Sequence, residues 1–218
     1  MFGQILYTQI KWSRISLATL SVLSFAAPAA IWRTFHGSYY RAASAMEVLS
    51  GFGVLGTALS ILAFLTGFVM VAHAWQADAA AKHVYPLSLP LPWHRYVMLR
   101  FGAGAVLLVV PTLALLLGSL LILAMIEIPS TLHAYPLGLA ARFLLGSFVG
   151  YALTFALQYL SGKSAAKVLL ILLVGFSVFA IGAESTGHSE WVTNLLGALF
   201  EYPGPLGVFG AEWMLIDV

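Results

Sequence analysis

Cysteine is absent from all 218 residues, which removes disulfide frameworks, iron–sulfur clusters, thiolate zinc sites and cysteine nucleophiles in one step. Charge is nearly as scarce. Only 8% of the residues are Asp, Glu, Lys or Arg, against about a quarter in an ordinary soluble domain. A soluble globule of this length needs polar side chains to cover its surface, so the composition argues against that class. The net charge of +2 is too small to imply nucleic acid, and the basic residues do not gather into a stripe. There is no G-x-x-x-x-G-K-[ST] phosphate loop, so no nucleotide site of that kind is expected in this chain. A Ser/His/Asp set, an intramembrane carboxylate pair and an Asp-rich metal motif are also missing, which argues against intramembrane proteolysis and lipid-phosphate transfer.

What fills the chain instead is apolar: 61% of it is hydrophobic, in uncharged runs long enough to cross a hydrocarbon core that takes about 20 helical residues. The expected fold is an all-α, polytopic transmembrane helix bundle of the inner (cytoplasmic) membrane. Spans are predicted at Ile15–Trp32, Val48–Ala72, Phe101–Ile126, Leu139–Leu160 and Ala166–Ala183. The first run is longer than a signal-peptide core and is followed by Trp32-Arg33-Thr34-Phe35 rather than small residues, so it reads as a retained span. Ahead of it, residues 1–14 place Phe2, Ile5, Leu6, Ile10 and Trp12 mainly on one side, as in an interfacial helix.

In the second span Gly51, Gly53, Gly56 and Ser60 form a small-residue face for close helix approach. In the third, Gly102 and Gly104 predict close packing and Pro111 a kink. Arg142 near the start of the fourth reads as a side chain snorkelling to the headgroups. Residues 184–218 are less regular: Trp191–Phe200 is apolar but short, and Tyr202-Pro203-Gly204-Pro205 interrupts any helix. This segment is expected to be extracytoplasmic, as an interfacial or re-entrant stretch or the lead-in to a further helix, standing where a sixth span is doubtful. Either the chain is part of a longer protein or its last helix is short and broken. No repeat or flexible linker appears, so residues 1–218 read as a single membrane domain.

Orientation follows from the cations. With the N-terminus cytoplasmic, Lys11, Arg14, Lys82, Arg95, Arg100, Lys163 and Lys167 fall inside, while Arg33, Arg41 and Arg142 fall outside. No Lys or Arg follows Lys167, and Glu127, Glu184, Glu190, Glu201, Glu212 and Asp217 are expected on the outer side.

The second and third spans are joined by a longer cytoplasmic segment, residues 74–100. Its first part, Ala74 to His83, favours helix, with Asp78 four residues before Lys82. Pro86, Pro90 and Pro92 end that helix, and His94-Arg95-Tyr96-Val97-Met98-Leu99-Arg100 restarts one. A rigid elbow is predicted. Here the sequence resembles the ABC-2 permease family, the membrane subunits of type-2 ABC exporters. Leu89-Pro90-Leu91-Pro92-Trp93-His94-Arg95 is similar to the Leu-Pro stretch that leads into the family's third span, and Phe2–Trp12 to its interfacial helix.

The resemblance implies a subunit that is not an enzyme, holds no cofactor, and couples ATP hydrolysis by a separate ATP-binding cassette ATPase subunit to export of a substrate. A second permease domain and the lipid bilayer would be its other partners. The ATPase contact then falls on Trp75, Asp78, Lys82, His83, Tyr85, Pro90, Pro92 and Arg95. The chain departs from the family in lacking an acidic-basic pair followed by Gly-Thr before the Leu-Pro stretch, and in its weak sixth span. The haem-exporter B subunit of cytochrome c maturation is a nearby variant, whose acidic loop motif is missing here.

Two other classes compete. His36, His73, His83, His94, His133 and His188 raise the alternative of a haem-binding or other cofactor-binding subunit of a redox complex, yet none sits mid-span. A non-catalytic assembly subunit packed through its glycine faces is the third.

Overall fold

A computed structural model describes residues 1–36, 56, 58–72, 92–125, 133–159, 175, 178–179, 190–201, 204, 206–210, 213 and 215–217. Of these, 91% are helical, and the class is all-α. In chain order the elements are α1 (Phe2–His36), α2 (Ala58–Ala72), α3 (Trp93–Leu107), α4 (Val109–Met125), β1 (His133–Ala134), α5 (Pro136–Tyr159), α6 (Glu190–Phe200), α7 (Gly207–Gly210) and β2 (Ile216–Asp217). Among the described residues two stretches, Trp93–Met125 and Pro136–Gln158, are long and apolar enough to cross a membrane, and α2 is a shorter apolar helix. Most of the expected fifth span, like residues 37–55 of the first outer loop and second span, lies outside the described residues.

The chain divides into two compact units, one of Met1–Thr154 with Glu212–Val218 and one of Phe155–Ala211. In the first, α1 runs unbroken from Phe2 to His36, so residues 2–14 are the opening turns of the same helix that carries the first apolar run. Its inward face repeats nearly every fourth residue through Ile5, Gln9, Ser13, Leu20, Ser24 and Pro28, the spacing a helix needs to keep one stripe against its neighbours. Ile5 packs with Tyr96 and Ala103 of α3.

Farther along α1, the Phe25 backbone lies against Gly118 of α4 so closely that a side chain there would collide with main-chain atoms. Helices α2 and α5 meet in the same manner. Gly67 faces the backbone of Ser147, Gly150 and Tyr151, and Gly150 in turn faces the backbone of Phe64. The small-residue contact expected on the second span therefore falls at Gly67. Of the residues named for it, Gly56 backs onto Trp213, and Gly51 and Gly53 lie outside the described residues.

Most hydroxyls inside the helices are satisfied locally, the buried Ser24 Oγ being an exception. Thr8, Ser13, Ser21, Thr66, Thr112, Ser119, Ser147 and Thr154 each donate to the carbonyl four residues back. This lets a hydroxyl sit in apolar surroundings without an orphan donor. It also accounts for these residues as packing groups.

The third span is interrupted for one residue close to Pro111, and Leu108 there keeps helical angles of φ −64° and ψ −20°. Helix α3 ends at Leu107 and α4 begins at Val109, with Leu108 as a one-residue break whose N–H bonds back to Ala105 at 3.2 Å. Pro111 has no N–H to give to Leu107, so the regular ladder fails at that carbonyl. Beyond α4, β1 pairs antiparallel with β2, setting His133 opposite Asp217 and Ala134 opposite Ile216. The Tyr135 N–H adds a bond to Leu215 O at 2.8 Å. Trp213, Leu215 and Ile216 are buried.

The second unit holds α6 and α7. The chain turns sharply after α6, with the Gly204 N–H on Glu201 O at 2.6 Å and the Leu206 N–H reaching back to Leu199 O at 2.8 Å.

Candidate functional site

Of the residues expected to meet an ATPase, Trp75, Asp78, Lys82, His83, Tyr85 and Pro90 lie outside the described residues. Pro92 and Arg95 lie within them. Pro92 is the N-cap of α3, with φ −63° and ψ 140°. A proline suits a helix start because its φ is preset and the N–H it lacks has no helical partner there. Its carbonyl accepts from Arg95 N–H at 3.0 Å and Tyr96 N–H at 3.2 Å, which begins the helical ladder. The first turn is asymmetric: Trp93, His94 and Arg95 are exposed, whereas Tyr96 is only 3% exposed.

One turn farther on, Arg100 is also 3% exposed. Reading it as a loop cation missed this. Its Nη1 donates to the Tyr96 hydroxyl at 3.1 Å, and the guanidinium carbon lies 5.8 Å from the centre of the Tyr96 ring. The spacing of four residues makes that pairing available on any helix, and it is the one sequence signal that could have marked Arg100 as tied inward. Opposite, the Tyr151 hydroxyl of α5 donates to Phe101 O at 3.0 Å, and its ring packs 5.3 Å from that of Phe101. Gly104 makes room for this approach, since a β-carbon there would run into the Tyr151 hydroxyl and the Gln9 amide.

Gln9 reaches this point from α1. It is buried, and its Oε1 has no hydrogen-bond partner. Beside it Ile5, Thr8, Gln9, Trp12, Tyr96 and Arg100 line a cleft with about 10 Å³ of room, the space of one water. Three helices thus meet at one level: the Tyr151 hydroxyl bonds α5 to α3, the Gln9 amide of α1 lies against the same Gly104 position, and the Arg100–Tyr96 bond stays within α3. Sliding α5 along α3 would strand the buried Tyr151 hydroxyl, at a cost of about 1–3 kcal/mol. No nucleophile stands beside a base here, and among the described residues no three of His, Asp or Glu come together as a metal site.

Arg142, expected at the headgroups, is exposed on α5. His94 and His133 are exposed.

Compared with protein-family models the chain matches none, and no curated protein or solved structure matches it.

Proposed function

We propose that the chain is the membrane-spanning permease subunit of an ATP-driven ABC exporter, moved by a separate ATPase subunit and working with a second permease domain. The observation that carries this reading is the first turn of α3. It offers Trp93, His94 and Arg95 to a partner, while Tyr96 packs on Ile5 of α1 and the Phe101 carbonyl takes the Tyr151 hydroxyl of α5. Force applied at Arg95 would pass along a short rigid helix into the bundle instead of being lost in a loop. In sequence, the predicted elbow of Trp75 to Pro92 runs directly into this turn.

Five spans with a cytoplasmic N-terminus are part of this reading, and two features bear on the number of crossings. Helices α3 and α4 together cover 33 residues, about 50 Å at the usual rise, so one end must protrude from a core of about 30 Å. Their outer faces carry Val109, Leu113, Leu117, Leu120 and Leu121, all exposed, and lipid would cover that stripe.

The strand pairing adds a parity argument. Residues 133–134 and 216–217 pair with each other, so both segments lie on one side of a membrane and an even number of crossings separates them. Helix α5 supplies one crossing, and α6 is too short to supply the other. The apolar run Ala166–Ala183 is the remaining candidate.

The test is purification of the full chain in mild detergent from its own membrane, with and without Arg95→Glu. The reading expects an ABC ATPase to co-purify with the unaltered chain and to be lost from the variant while the variant stays folded. A chain that is stable and active with no ATPase partner would overturn it.

A further inference from the structure

We infer that α6 lies flat in the membrane interface, with lipid as the partner of its apolar face. This rests on the membrane-spanning part of the reading above and is independent of the ATPase part.

The argument begins with length. Helix α6 has 11 residues, about 16 Å at 1.5 Å per residue, roughly half of a hydrocarbon core of about 30 Å. It cannot be lengthened at its C-terminal end, because the Gly204 and Leu206 amides fold the chain back over its last turn. As an 11-residue helix that begins at Glu190, it is too short to cross.

Its sequence is sorted by side. At about 100° per residue, Trp191, Leu195, Leu199, Val192, Leu196 and Phe200 fall on one continuous arc, and Thr193, Asn194, Gly197 and Glu190 occupy the other. An amphipathic helix in a folded protein ordinarily buries its apolar arc, yet none of the residues of α6 is buried. Trp191 is 51% exposed, Leu195 and Leu196 39%, and Phe200 40%.

Charge then selects the orientation. Glu190 opens the helix and Glu201 follows its last residue. A helix dipping into the bilayer end-on would carry one of these carboxylates toward the hydrocarbon, where an unpaired charge is strongly disfavoured. Lying flat keeps both at headgroup level while the arc from Trp191 to Phe200 faces the acyl chains, the placement that suits an interfacial tryptophan. No Lys or Arg lies on α6, so apolar burial holds it there and anionic lipid is not required.

The cysteine-free chain makes the test direct. Single substitutions Leu195→Cys, Leu199→Cys, Asn194→Cys and Gly197→Cys are spin-labelled in the full chain in phosphatidylcholine bilayers, with and without phosphatidylglycerol, and probed for collision with oxygen and with a water-soluble nickel chelate. The expected result is oxygen-dominated collision at 195 and 199, nickel-dominated collision at 194 and 197, and the same depths in both lipid mixtures. Nickel access at all four positions would place the helix in water and overturn the inference. So would exclusion of both probes at 195 and 199, which means a protein covers the face, or a depth that increases steadily along the helix. If the lipid pattern holds while no ATPase co-purifies, the exporter reading fails and this one stands.

Discussion

Arg95 and Arg100 share one short helix and have opposite surroundings. Arg95 is exposed and Arg100 is buried against Tyr96, so the same chemical change should affect different properties. Arg95→Ala should alter stability by no more than about 0.5 kcal/mol, as for most exposed positions, while lowering ATP-coupled transport. Arg100→Met should lower the melting temperature, because it leaves the buried Tyr96 hydroxyl without its donor, at about 1–3 kcal/mol. Thermal unfolding in detergent beside a coupled ATPase assay separates the two effects. Glycine makes a second contrast. A methyl at Gly67 would meet backbone atoms of Ser147, Gly150 and Tyr151 that cannot swing aside, so Gly67→Ala should destabilise by at least about 1–3 kcal/mol. Gly3 has nothing within 4 Å, and Gly3→Ala should be neutral or stabilise by up to about 1 kcal/mol; the same melting assay reads both. Neither Arg100 nor Gly67 stood out in the sequence. An arginine at a span end looks solvated until the first turns of α1 are known to cover it, and a glycine's partner becomes visible only when the opposing helix is placed.

At the level of elements, periodicity and proline carried more information. The fourth expected span, Leu139–Leu160, nearly coincides with α5 at Pro136–Tyr159, because an apolar run bounded by polar loops leaves little freedom. The break at Leu108 follows from the chemistry of Pro111, which can be undone. Pro111→Ala restores a donor for the Leu107 carbonyl, and one added hydrogen bond of about 1 kcal/mol should slow amide exchange around residues 108–112 several-fold. Unchanged exchange would mean that packing, and not the missing N–H, sets the break. The pairing of β1 with β2 had no sequence signature, since two residues per strand carry no alternation to read. Its neighbour Trp213 is 3% exposed, and Trp213→Ala should cost about 3–5 kcal/mol, read as a lower midpoint of thermal unfolding. For the expected elbow, the contribution of the structure is its exit: Pro92 caps α3 where the sequence placed the helix restart.

For the whole molecule, composition pointed to lipid, and the exposed leucines along α4 agree with it. The number of crossings is a different matter, because hydropathy assigns each segment alone whereas pairing between distant segments constrains all of them together. Gly56 against Trp213, and His133 opposite Asp217, bring the start of α2, the start of α5 and the C-terminal segment to one end of the first unit. In the proposed bundle that end is extracytoplasmic, and the Pro92–Arg95 turn lies across the membrane from it. Single cysteines test this arrangement directly, using His94→Cys and Ala134→Cys in the cysteine-free chain with a membrane-impermeant maleimide on intact cells and then on permeabilised ones. The account predicts labelling at 134 in intact cells and at 94 only after permeabilisation. Labelling of both positions from the same side would contradict it.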